Sequence, residues 1–93
     1  MTKPVRFRRE AEHDLRQIIA WYEDAAPESL PNITADIWRA IDLIRQFPTI
    51  GAPIEGRPLR RIVSRRYAFK IAYSDDDHAI TVFGIFRFQD REV

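Results

Sequence analysis

A chain of 93 residues is too short for two hydrophobic cores, so one domain spanning residues 1–93 is expected. Its composition, 45% apolar and 31% charged with three glycines, is that of an ordinary globular protein, and no apolar run approaches the roughly 20 residues of a membrane span. The net charge is +1, and the absence of cysteine excludes a disulfide framework and a thiolate metal site, as befits a reducing cytoplasm.

Met1 to Arg9 is basic but has no apolar stretch of the signal-peptide kind, and is expected to stay in the mature protein. Within it, Val5 and Phe7 alternate with Arg6 and Arg8, which predicts a short strand with one wet face. From Glu10 to Asp24 the period changes: Ala11, Leu15, Ile18, Ile19 and Tyr22 fall at helical spacing. Glu10, Glu12 and Asp14 lie near the start of that helix, where its dipole favours anions. Pro27 and Pro31 mark a short connection. A second helix is predicted from about Asn32 to Gln46, with Ile33, Ile37, Ala40, Ile41 and Ile44 as its stripe and Pro48 ending it.

Gly51, Pro53, Gly56 and Pro58 make Thr49 to Pro58 a loop. Three strands are predicted to follow. They are Leu59 to Ser64, Tyr67 to Tyr73 with Tyr67, Phe69, Ile71 and Tyr73 on one face, and Ala79 to Arg87, apolar on both faces and therefore central. Asp75, Asp76 and Asp77 form the turn before the last strand. The order β-α-α-β-β-β predicts an α+β, two-layer fold, an N-terminal strand and a helical hairpin packed on a mainly antiparallel sheet.

The small net charge conceals a segregation. Residues 57–73 carry Arg57, Arg60, Arg61, Arg65, Arg66 and Lys70 with no acidic residue, a charge of +6, whereas residues 10–42 sum to −6. Thirteen of the fifteen basic residues are Arg, whose planar fork suits carboxylate and phosphate. This asymmetry points to a surface that meets an anionic partner, or to solvated faces that simply differ in charge. Along a strand, Arg61 and Val63 share one face and Arg60 and Ile62 the other, so only some of these arginines can reach one groove. Arg60 or Arg61, with Lys70 between the short Ala68 and Ala72 and with Arg87, are expected to line one cationic surface. The competing reading gives these charges the task of preventing sheet-to-sheet aggregation.

Other chemistry-bearing residues read as structural. His13 and His78 are expected at the surface, and Asp75 to His78 lacks the spaced ligands of a dedicated metal site. Trp21 and Trp38, one on each helix, are expected to cross-pack within the hairpin, with a binding hot spot as the alternative.

Taken together, the order of elements and several residues resemble the RelE/ParE toxins of type II toxin–antitoxin systems over nearly the whole chain. The residues that carry the resemblance are Ala11, Asp14, Leu15 and Ile18 on the first helix, Phe47, Pro48 and Gly51 at the end of the second, Arg60, Arg61 and Ile62 on the next strand, the aromatic run Tyr67 to Tyr73, the turn Asp75 to Asp77 and the final strand Ala79 to Phe86. The resemblance implies a growth-inhibiting toxin silenced by a cognate antitoxin, with which it can form a hetero-oligomer, and no cofactor, metal or membrane involved. Two targets follow from it: DNA gyrase for ParE-like members, and messenger RNA on the ribosome for RelE-like members. A nuclease of the second kind must activate a ribose hydroxyl and protonate the leaving oxygen. The His that such relatives often carry at the end of the last strand is replaced here by Arg87 or Gln89, and the Tyr by Phe88 or Asp90. The ParE-like reading is therefore favoured. The alternatives are a metal-independent endoribonuclease, in which Arg61 and Arg87 would be catalytic, and an inactive relative serving only as an interaction module. The residues expected to bind target or nucleic acid are Arg60, Arg61, Arg65, Lys70 and Arg87.

Overall fold

A computed structural model describes residues 3–87; Phe88, Gln89 and Asp90, named above at the places of the relatives' Tyr and His, lie outside the described residues. Strand β1 (Val5–Phe7) leads into helix α1 (Arg9–Ala25), a 3-10 turn (Pro27–Ser29) and helix α2 (Leu30–Gln46). Four strands follow: β2 (Ala52–Pro53), β3 (Arg60–Val63), β4 (Lys70–Asp75) and β5 (Ile80–Phe86). They form one sheet in the order β1-β5-β4-β3-β2, antiparallel except where β1 runs parallel to β5. The α+β, two-layer architecture expected from the sequence is the one observed.

Periodicity and local chemistry explain the helices. Glu10 and Glu12 occupy the first turn of α1, favourably placed for its dipole. Pro31, read from the sequence as part of the connection, instead lies in the first turn of α2, where its missing N–H would have had no helical partner. Leu43 O accepts from Phe47 N, and Pro48 stops the helix there. Ile18 of α1, Ile33, Ile37, Ile41 and Ile44 of α2, and Ile71, Tyr73, Ile80, Val82 and Ile85 of the sheet form one buried cluster. Each fully buried aliphatic side chain contributes about 1.5–3 kcal/mol.

The sheet departs from the sequence reading in three places. The loop after α2 contains a further strand, β2, whose two residues pair with Arg61 and Arg60. Strand β4 begins at Lys70 rather than Tyr67, because residues 64–69 form a turn: Ser64 N donates to Phe69 O, and Ala68 N donates to Ser64 O. Ala68 takes a left-handed conformation in that turn, φ 59°. It therefore does not flank Lys70 on the strand. Finally, β5 is interior, but its two apolar faces have a local cause. The register against β4 shifts from Tyr73↔Val82 to Ala72↔Gly84, leaving Phe83 as an extra residue in a bulge. Val82 and Ile85 thereby both face the core, while Phe83, Gly84 and Phe86 belong to the opposite face.

Beyond Phe7, β1 no longer covers β5. There the carboxylate of Asp14 on α1 substitutes for a strand, accepting Ile85 N–H at 3.1 Å. Among the described residues, no helix is long and apolar enough to cross a membrane.

Candidate functional site

The helices cover one face of the sheet. On the other, Ala72 lies between Arg61 and Gly84 in the pairing register, Lys70 pairs with Val63 and Phe86, and a cavity of about 300 Å3 opens above them. The small side chain at 72 leaves the space, and the absence of one at 84 lets the Phe86 ring lie across the strand. Phe83 and Phe86 supply apolar surface from β5, and Ile54 and Leu59 supply it from the β2–β3 loop. That loop is tightly closed, with Ile54 N donating to Leu59 O and Arg57 N to Ile54 O, and Gly56 takes the positive φ (77°) the reversal requires. The loop thereby presents Arg57 at the cavity rim. Arg8, just before α1, enters from the opposite side and stacks over the Phe83 ring at 4.9 Å. Four cationic residues, Arg8, Arg57, Arg61 and Lys70, line the cavity against one carboxylate, Glu10, which pairs with Arg8 at 3.5 Å.

The five basic residues singled out in the sequence do not share one surface. Arg61 and Lys70 line the cavity together. Arg60, one residue from Arg61, turns toward the other side and donates to the carbonyls of Gly51 (2.8 Å) and Thr49 (3.2 Å), bracing the loop after α2. Arg65 lies in the β3–β4 turn, beside a groove between α2 and β3 that exposes Leu43, Ile50 and Val63. Arg87 stacks over the Trp21 ring at 4.8 Å and lines a separate groove with Asp14 and Asp24 of α1. Arg8 and Arg57 were not singled out as site residues. Arg8 belongs to the wet face of the first predicted strand and Arg57 to the predicted loop, and only the long-range pairing of the sheet brings them to the cavity.

The tryptophans do not cross-pack within the helical hairpin. Trp38 packs edge-on against Phe7 (5.8 Å between ring centroids) and Trp21 against Tyr22 (4.8 Å), each about half exposed. His13 and His78 are exposed. The reversal between β4 and β5 starts at Asp76, because Asp75, read from the sequence as part of the turn, closes β4 opposite Ile80: Asp76 Oδ1 accepts from the backbone N–H of His78 and Ala79, and Asp75 pairs with Lys3. Those two N–H groups hold the Asp76 carboxyl below its ordinary range. Among the described residues, no three His, Cys, Asp or Glu side chains are grouped to hold a metal ion.

Two buried polar centres position the cavity strands. Asp36, 1% exposed on α2, accepts from Ser64 Oγ (2.7 Å), Tyr67 N (2.8 Å) and Arg66 N (3.0 Å). Ser64 Oγ in turn accepts from Phe69 N. This carboxylate pins the β3–β4 turn to α2 and so fixes the strands that carry Arg61 and Lys70. Burial pushes its pKa up, but the bonds from Ser64, Tyr67 and Arg66, with Arg39 nearby, outweigh it and hold the group below its ordinary value. The second centre is the Tyr73 hydroxyl, which donates to Pro48 O (2.7 Å) and accepts from Gly51 N (2.9 Å). Burial is the main cause of its raised pKa.

No protein-family model matches this sequence, and no curated protein is significantly similar to it. Among solved structures, the fold matches a chain of the chromosomal ParDE TA system from P. aeruginosa with a TM-score of 0.76. The two are 24% identical, and the match covers 91% of this chain and 95% of that one. The similarity establishes a shared fold over that share of the two chains.

Proposed function

We propose that this protein is the toxin of a type II toxin–antitoxin pair, a ParE-like inhibitor of DNA gyrase that a cognate antitoxin neutralises. The observation that carries the reading is the correspondence of the fold, over 91% of the chain, with a chain from a ParDE TA system. The sequence motifs that carry the resemblance agree with it, and three of them have a structural task here. Asp14 holds the uncovered part of β5, Gly51 makes room for Tyr73, and the Arg60-Arg61 pair braces one loop and lines one cavity.

The chemistry of the cavity favours action by grip rather than by proton transfer. Its charged groups are three arginines, a lysine and a glutamate already paired to Arg8. Guanidinium and ammonium groups hold an acidic partner well but exchange protons poorly near neutral pH. Arg61 and Arg87, the pair a nuclease reading would need, line different cavities.

Induced expression in a bacterial host is expected to arrest growth, and purified protein is expected to block supercoiling by purified gyrase. Arg61→Glu should relieve both effects. Ribosome-dependent cleavage of messenger RNA with gyrase unaffected would overturn the gyrase target, and harmless expression would overturn the toxin reading.

A further inference from the structure

We propose that the cavity on the open sheet face seats an acidic peptide segment of a protein partner. One bulky apolar side chain of the segment enters the cavity, and the flanking carboxylates lie on Arg57, Arg61 and Lys70. The inference rests on the toxin reading only for the kind of protein that carries the segment.

The shape argues for a single inserted side chain. The floor is Ala72 together with the Phe86 ring, which lies across Gly84 so closely that a Cβ there would come within 2.7 Å of it. Leu59 stands on the β3 side and Phe83 on the β5 side, with β4 between them. At about 300 Å3 the space is at the lower end of ligand pockets, enough for one large side chain. The depression is apolar at its bottom and cationic at its rim, so it matches a segment that is apolar at one point and anionic around it.

The same details disfavour a nucleic-acid strand. Base stacking needs free aromatic faces, yet Arg8 covers a face of Phe83 and Phe86 packs over Gly84.

The test is fluorescence anisotropy with a labelled synthetic peptide, one phenylalanine set among aspartates and glutamates, titrated with the full chain. The wild type is expected to bind, with affinity falling about tenfold as salt rises from low to above-physiological concentration. Arg61→Glu combined with Lys70→Glu should weaken binding at least about tenfold, and Ala72→Leu, which fills the floor without changing charge, by a similar factor. Thermal melting identifies any variant that fails to fold. Arg57→Glu, on an exposed loop, provides a second charge reversal away from the strands. The inference is overturned if these variants fold and bind as the wild type does, if replacing the phenylalanine by serine leaves affinity unchanged, or if single-stranded RNA displaces the peptide and binds more tightly. Growth arrest without cavity-dependent peptide binding would overturn this inference alone. Peptide binding by a chain that is harmless on expression would overturn the toxin reading alone.

Discussion

The hydroxyl oxygen of Tyr73 lies 2.7 Å from where a Cβ at position 51 would stand, and it accepts the Gly51 N–H at 2.9 Å. The turn after α2 can therefore close on β4 only because residue 51 has no side chain.

Tyr73→Phe is expected to destabilise the fold by about 2 kcal/mol, because Gly51 N–H and Pro48 C=O both lose their partner. Gly51→Ala should be at least as damaging, since Tyr73 Oη and Cε1 both lie under 3 Å from the added methyl. Because the hydroxyl takes part in both effects, the double variant should be less destabilised than the two single effects added together. Urea unfolding of the four proteins checks this; strict additivity would contradict it.

Asp36→Ala should cost about 3 kcal/mol, since it leaves the Ser64 hydroxyl and two backbone N–H groups without their shared acceptor. The pH dependence has a definite sign. The folded-state pKa is depressed, so the stabilisation is fully present above the unfolded-state value, near the ordinary 3.8, and disappears as pH falls through the lower folded value. The stability gap between wild type and Asp36→Asn should thus hold steady from neutral pH down to about 5 and narrow in stronger acid. A gap that widened on acidification would refute the assignment.

Neighbouring arginines should behave oppositely. Arg60→Ala removes two bonds to loop carbonyls and should lower stability by about 1–2 kcal/mol. Arg61→Ala should act chiefly on partner binding, because Arg61 lines the cavity. Chemical denaturation and a binding assay on the same preparations separate the two; similar behaviour in both assays would count against the assignment of Arg61 to the cavity.

Ala68→Gly is expected to stabilise the protein by about 0.5–1 kcal/mol, because a left-handed φ of 59° strains an alanine but not a glycine. The midpoint of thermal unfolding is the readout, and a decrease would mean that the turn gains more from the methyl than it loses to strain.

The helices were legible because Ile33, Ile37, Ala40, Ile41 and Ile44 repeat with the helical period and are all buried. The same period holds the signal for Asp36, three residues after Ile33 and four before Ala40, on the inward side. In the charge sum over residues 10–42 it counts only as one more acidic residue. Strand β2 was hidden because two residues, one a proline, carry no alternation. The turn before β4 was hidden because Ala68, not a glycine, supplies its positive φ. Alternation along β3 showed that Arg60 and Arg61 must diverge, but not which would face the cavity. That follows from register, since Arg61 pairs with Ala72 and Arg60 with the buried Tyr73.

The bulge at Phe83 divides the labour of β5 between two audiences. Its inward residues answer only to the helices. Phe83, Gly84 and Phe86 present a separate sequence outward, and substitutions at Arg57, Arg61 or Lys70 reach none of the buried isoleucines. A lineage could therefore retune what the cavity accepts, one cation at a time, while the scaffold beneath stayed as it was. Such independence lets closely related copies of one fold diverge in partner choice without first losing their ability to fold.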